Sequence, residues 1–272
     1  MDDPSEGVQV FTLISSLPFL EDLDLPFAYI VRPNVNYDDP VFRSVTSPPL
    51  TGTLSVREFT GLEHIVRRLL DLPSGIHFQK SRFWWYSGIE LPWMTTLVEA
   101  CSRTLEYIDV SSRIHSKPNL LGSRCGTNPL FMLTFELGGS RVGSVDLSKA
   151  KNLKGVAFWL HSSYLLLPVG ALKTITSEHT DFRMVSIYIL FDFYLYSDSS
   201  APTDIRPTIG EKKYRQWVDL DHLLAQLHES HGVHATVVAR GKRTCMYAEM
   251  MLPEAMKGGG CTVLVDDVLD LY

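Results

Sequence analysis

The 272-residue chain has no excess of basic residues, with 25 Lys and Arg against 31 Asp and Glu and a formal net charge of −6. Gripping a phosphate backbone requires a positive field, so nucleic acid is not expected as a partner. No apolar run reaches the roughly 20 residues that a membrane helix needs. The most apolar stretch, Met184 to Leu190 continuing to Tyr196, is broken by Asp192, and no membrane partner is expected. The first ten residues carry two aspartates and a glutamate and no basic residue, which does not read as a secretory signal. Cysteine is sparse: residues 101, 125, 245 and 261 lie 24, 120 and 16 apart, with no C-x-x-C pair and none of the dense spacing of a disulfide scaffold. A cytoplasmic or nuclear protein is the expectation.

Catalytic signatures are scarce as well. Neither G-x-S-x-G nor H-E-x-x-H occurs, and no cysteine has an assignable histidine partner. Asp219 and Asp221 sit two apart on a helical stretch and face different directions, which is poor geometry for acid–base work. His228, His231 and His234 form H-x-x-H-x-x-H, but Gly232 is expected to end the helix before His234, and histidines suit a helix C-terminus on dipole grounds alone. Gly241-Lys-Arg-Thr244 lacks the first glycine of a phosphate loop and reads as a basic loop. Gly258, Gly259 and Gly260 read as a flexible connector. The chain is therefore expected not to be an enzyme, and to hold neither cofactor nor metal.

What the sequence does contain is ordinary globular composition, 45% hydrophobic and 21% charged, and a recurring unit. Leu20, Leu23 and Leu25 have the spacing L-x-x-L-x-L. It returns as Phe78, Ser81 and Phe83, as Leu105, Ile108 and Val110, as Leu153, Val156 and Phe158, and as Phe182, Val185 and Ile187. Leu50, Leu54 and Val56 make a looser copy. The starts are separated by 30, 28, 27, 48 and 29 residues, and the outlier contains a glycine-rich segment at about 111–145, expected as an irregular insertion in which Phe131 to Leu137 could add a strand.

Stretches of helical spacing lie between the motifs. Leu62, Ile65, Val66, Leu69 and Leu70 follow the i, i+3, i+4, i+7, i+8 pattern, Leu97, Val98 and Cys101 repeat it briefly, and Leu172 and Ile175 weakly. Trp217, Leu220, Leu223, Leu224 and Leu227 build the longest stripe, within a helix-and-strand cap expected at about 205–272. Alternating helix and strand fits a doubly wound sheet or a barrel, but strands covered on both faces read as continuous apolar runs. Here Asp22, Asp24, Lys80, Arg82 and Asp109 interleave with the apolar positions, so one sheet face must be wet. The predicted fold is a single α/β domain over 1–272, a solenoid with a curved parallel sheet on the concave face and helices on the convex face.

Leu20-Glu-Asp-Leu-Asp-Leu25, Leu105-Glu-Tyr-Ile-Asp-Val110 and Leu153-Lys-Gly-Val-Ala-Phe158 resemble the strand segments of leucine-rich repeats, at the period of about 26 to 29 residues that accompanies a full convex helix. Leu62-Glu-His-Ile-Val-Arg-Arg-Leu-Leu-Asp-Leu72 and Trp217-Val-Asp-Leu-Asp-His-Leu-Leu224 are similar to the repeat region of F-box proteins abundant in mushroom-forming fungi. That resemblance spans roughly residues 13–253, and implies a horseshoe-shaped solenoid and substrate recognition for a cullin-type ubiquitin ligase. The F-box itself has no counterpart ahead of Leu20, which counts against recruitment of a ligase adaptor and keeps open a repeat remnant or structural scaffold.

Because strand side chains alternate between faces, the third, fifth and seventh motif positions point off the core. Among them Lys80, Arg82, Trp84, Tyr107, Asp109, Trp159 and Tyr188 combine aromatics with charge, the usual ingredients of a protein-binding surface. These seven are the candidate partner-binding residues; the competing reading is that Trp84 and Trp159 bury themselves within the monomer. Ser81 stands where the motif asks for leucine, and on the motif alone Ser81→Leu is expected to be neutral or stabilising.

Overall fold

The repeated motif forms the strands of one sheet. In a computed structural model, residues 22–26, 50–57, 66–67, 69–72, 75–85, 91–112, 144–160, 165–190 and 211–266 are described. Eight strands run β1 (Asp22–Pro26), β2 (Leu50–Arg57), β3 (Ile76–Trp85), β4 (Tyr107–Ser112), β5 (Gly155–Leu160), β6 (Met184–Ile189), β7 (His234–Arg240) and β8 (Cys261–Asp266). Among the described residues, helices α1 (Leu91–Ala100), α2 (Leu166–Leu172), α3 (Glu211–His231), α4 (Lys242–Met251) and α5 (Pro253–Lys257) lie between them. The fold is α/β, with a single open sheet in which every strand is parallel to the next and spatial order equals chain order. The expected side-by-side arrangement of the strands near 23, 55, 82, 108, 156 and 185 is what the structure has.

Register follows the motif. Leu23, Leu54, Ser81, Ile108, Val156, Val185, Ala235 and Cys261 are successive partners across the sheet, and all are buried. Two residues on, Val56, Phe83, Val110, Phe158, Ile187 and Val237 form a second buried row. Burying each such aliphatic side chain contributes on the order of 1.5–3 kcal/mol, so a period-two pattern fixes which face turns inward. The strands share one hydrophobic cluster with Met94, Leu97 and Val98 of α1, Leu172 of α2, Trp217, Leu220 and Leu224 of α3 and Ala248 of α4. The helices therefore pack on the inward face, and the alternate strand positions form the opposite, open face.

The turns ahead of the strands are stitched together in the same direction. The Glu106 N–H donates to the Gln79 carbonyl at 2.8 Å, the Lys154 N–H to Glu106 at 2.7 Å, and the His234 N–H to Arg183 at 2.9 Å. Thr104 adds a side-chain bond to the Phe78 carbonyl at 3.1 Å. His179, fully buried, accepts the Thr176 N–H at Nδ1 (3.1 Å), which leaves Nε2 to donate to the Leu147 carbonyl at 3.0 Å and ties the approach to β5 to the turn after α2.

Several local expectations change. The looser copy around Leu50 pairs with a shift between Gly52 and Thr53, where β3 carries one extra residue, Gln79, relative to β2. Gly52 sits at φ 79° at that point, a backbone that side-chain-bearing residues rarely adopt. Gly241-Lys-Arg-Thr244 is not a loop, since Lys242 opens α4 directly after Gly241. Gly258 to Gly260 connects α5 to β8 as a tight turn: Gly259 turns the chain at φ 75°, and Gly260 is buried where an added Cβ would lie 2.6 Å from the His228 ring. Two of the three histidines hold turns among the described residues. His228 Nδ1 lies 2.9 Å from the Val233 carbonyl, His231 Nε2 lies 3.0 Å from Thr176 O, and His234 is already in β7. Gly232, at φ 67°, ends α3 as expected. Asp219 faces solvent toward Lys173, whereas Asp221 is buried and accepts the Glu254 and Ala255 N–H groups at 3.2 and 2.9 Å, capping α5.

Of the helical stretch from Leu62, residues 66, 67, 69 and 70 are described; Val66 and Leu69 are buried, but Leu70 is 38% exposed. Of the segment at 111–145, residues 113–143, including Phe131 to Leu137, lie outside the described residues, while Val145 and Leu147 just after them are buried in the core. Residues 211–266 of the expected cap supply β7 and β8, which continue the sheet in register.

Candidate functional site

The open face carries three rows of side chains, set by the same register that builds the core. One row reads Thr53, Lys80, Tyr107, Gly155, Met184 and His234. The next reads Asp24, Ser55, Arg82, Asp109, Ala157, Ser186, Thr236 and Thr262. The third runs Trp84, Ser111, Trp159, Tyr188, Val238 and Leu264. Lys80, Arg82, Tyr107, Asp109, Trp159 and Tyr188 thus fall on one face, across β3 to β6. Trp84 takes its place opposite Ser111 in register, but its side chain lies outside the described residues.

On β3 and β4 the site is charged. The Arg82 Nε donates to Asp109 Oδ2 at 3.2 Å, and Lys80 Nζ stands 3.9 Å from the same oxygen. Asp109 is the inner member, 26% exposed, while Arg82 is 45% exposed. Burial pushes the Asp109 carboxyl above the usual carboxylate range, against the opposing pull of Lys80 and Arg82. Asp109 engages the guanidinium at Nε, which orients the side chain of a residue that stays 45% exposed.

On β5 and β6 the site is aromatic. Trp159 and Tyr188, adjacent in register, stack with ring centroids 3.8 Å apart and an interplanar angle of 7°. Both are half-buried. Each ring covers one face of its neighbour, which satisfies part of its apolar surface. Beside the stack the middle row is small, Ala157, Ser186 and Thr236, and beyond it Met184 is 44% exposed. The result is a shallow trough with a low floor between Met184 and the aromatic pair.

The open face is not uniformly wet. Ser55 and Ser111 are buried at 7% and 6%, both on outward positions. Large neighbours in register shield short side chains, Trp159 standing beside Ser111 and Arg82 beside Ser55. Residues of β7 and β8 on this face, His234, Thr236, Val238 and Leu264, extend the surface beyond the sequence-derived set, and Leu264 is 47% exposed. They carry the same period, but with Gly232 and Gly258 at the first motif position and Ala235 and Cys261 at the fourth, where leucine-like residues mark the other strands.

No cluster of three or more His, Cys, Asp or Glu among the described residues could hold a metal ion. Cys101, Cys245 and Cys261 are buried free thiols; burial pushes Cys101 and Cys261 up to about 11, so both stay protonated at neutral pH. Among the described residues no helix is long and apolar enough to cross a membrane. No family model, curated protein or solved structure matches the chain.

Proposed function

We propose that the chain is a protein-recognition module of the leucine-rich-repeat type that binds a partner protein across the open face of its sheet. The observation that carries the reading is the coincidence, on consecutive strands of one sheet, of an oriented Arg82–Asp109 pair and a stacked Trp159–Tyr188 pair. Aromatics and arginine are the residues that most often dominate binding energy. Here both are held by a hydrogen-bonded ladder, so little side-chain freedom is lost on docking. The partner set is Lys80, Arg82, Trp84, Tyr107, Asp109, Trp159 and Tyr188. Within this reading, the resemblance to fungal F-box repeats favours the substrate-receptor part of a cullin-type ubiquitin ligase.

The test is affinity purification of the full chain from cells. Trp84→Ala with Trp159→Ala should abolish capture of the partner while the thermal midpoint stays within a few degrees of the parent. Arg67→Ala, on the helical side where Arg67 lies 5.5 Å from the Trp93 ring, should leave capture intact. Capture that survives the double substitution and is lost with Arg67→Ala refutes the open face as the binding surface.

A further inference from the structure

The open face has a polarity across its strands, and that polarity specifies what a partner must present. We infer that the face takes an extended segment of another protein in which an acidic residue lies three or four residues from an aromatic or large aliphatic one, the acid meeting Arg82 and the apolar side chain meeting the Trp159–Tyr188 stack. This inference rests on the reading of the open face as the partner surface.

The charge is the first ground. Among the described open-face residues of β3 and β4, Lys80 and Arg82 stand against the one carboxylate of Asp109, an excess of one positive charge on a chain whose overall balance is −6. Asp109 cannot serve as the contact for a basic partner, because it is the inner, largely covered group and already accepts from Arg82. Its role is to position Arg82: it holds the half-exposed guanidinium by Nε, and this bond does not use the two terminal nitrogens, the fork that pairs with a carboxylate in bidentate fashion. An incoming acid completes a charge-assisted pair without either side chain having to be ordered first.

The floor is the second ground. From Arg82 the diagonal toward Trp159 crosses β4 between Asp109 and the short, buried Ser111 and reaches β5 beside Ala157, so the floor is low at Ser111 and Ala157 and leaves room for a backbone to lie close to the sheet. A bulky or helical segment would stand off the floor and lose contact with one end of the trough, whereas an extended chain fills it.

The spacing is the third. Arg82 on β3 and Trp159 on β5 are two strands and two residues apart in register. With strands about 4.8 Å apart and a rise of about 3.3 Å per residue, the diagonal is about 11–12 Å, which an extended segment covers in three to four residues. Two residues fall short, and six overshoot.

The experiment selects a random twelve-residue peptide library, displayed on phage, against the full chain and against Arg82→Glu, Arg82→Gln and Trp159→Ala variants whose thermal midpoints match the parent. The parent is expected to enrich peptides with Asp or Glu three or four residues from Trp, Phe, Tyr or Leu. Arg82→Glu should replace the acid by Lys or Arg at that spacing while keeping the apolar residue. Synthetic peptides from the parent selection should bind Arg82→Gln at least tenfold more weakly in fluorescence anisotropy. Trp159→Ala should remove the apolar preference and keep the acidic one. Enriched peptides with no acidic residue, or the same peptides on Arg82→Glu, overturn the inference; if Trp159→Ala still abolishes their binding, the open face survives as the partner surface. Peptides indifferent to both Arg82 and Trp159 overturn the two together. An intact chain that enriches nothing overturns the extended-segment inference, and partner capture by the purification above then decides the face independently.

Discussion

The strands β3 and β4 and the strands β5 and β6 are built on one register, yet they differ on both faces. The first pair presents Lys80, Arg82, Tyr107 and Asp109 outward and admits Ser81 inward; the second presents Ala157, Trp159, Ser186 and Tyr188 outward and only aliphatic or aromatic side chains at its central inward positions. The outward difference is nearly free of structural consequence, because those side chains answer to solvent and to each other. The inward difference is compensated locally. Phe78 and Phe83, both fully buried, bring more volume than the leucine-like residues at the equivalent places in β4, and the small Ser81 sits between them. Chemistry varies along the sheet where packing does not forbid it.

If the inward frame is common to both halves, Ile108→Ala in β4 and Ile187→Ala in β6 should each lower the unfolding free energy by about 2–5 kcal/mol, the range for deleting a fully buried isoleucine. Urea denaturation measures both. A midpoint unmoved by either substitution would break the comparison by showing that half to be loosely packed.

Compensation by neighbours is sharpened at two positions. Gly260→Ala drives a methyl group into the His228 ring, 2.6 Å away, and should cost about 1–3 kcal/mol; Gly259, in open space but at φ 75°, gives a strain-only control. For Ser81 the motif implies that leucine is welcome, whereas the phenylalanines on either side imply overpacking. Ser81→Leu is therefore expected to destabilise, by about 1–3 kcal/mol at most. A neutral or stabilised variant would restore the leucine rung and remove the difference between the two halves on this face.

The smallest effect belongs to the charged rungs. The Asp109 carboxyl is raised in the folded chain chiefly by burial, so its ionised form disfavours folding. That cost is absent below the unfolded value of about 3.9 and complete once pH has risen past the folded value. Asp109→Asn should accordingly gain stability relative to the parent as pH rises from about 3.5 to 7, by less than about 1 kcal/mol. Parallel thermal melts at the two pH values check the sign; a relative loss would mean that Lys80 and Arg82 outweigh burial.

Strand position and strand order were legible in the sequence because both follow from a local rule, apolar residues at fixed spacing with charge between them. The rule fails where the apolar mark is absent. β7 and β8 carry glycine and small residues in place of leucine, so their rungs on the open face were missed. Gln79 has no local signature of being the extra residue of its strand, since register is a property of two strands. Asp221 and His179 act at sequence separations of about thirty residues, as a helix cap and a turn clasp, and nothing in a sequence window announces such partners. For the candidate site, alternation placed the side chains on the open face, but not the stacking of Trp159 on Tyr188 or the burial of Ser111, which depend on what neighbouring strands contribute.

Spatial order equal to chain order also sets how the molecule assembles. Each strand hydrogen-bonds only to its predecessor and successor, so pairing any two rungs closes one interval of chain, from Ala235 to Cys261 at the short end and from Met184 to His234 at the long. The entropy of closing such a loop grows only as the logarithm of its length, so the long interval costs little more than the short one. No contact between distant strands has to form before the rest. Folding can nucleate at whichever pair is strongest and spread one strand at a time, and amide protection should fall from the central strands toward β1 and β8 as the ends open and close.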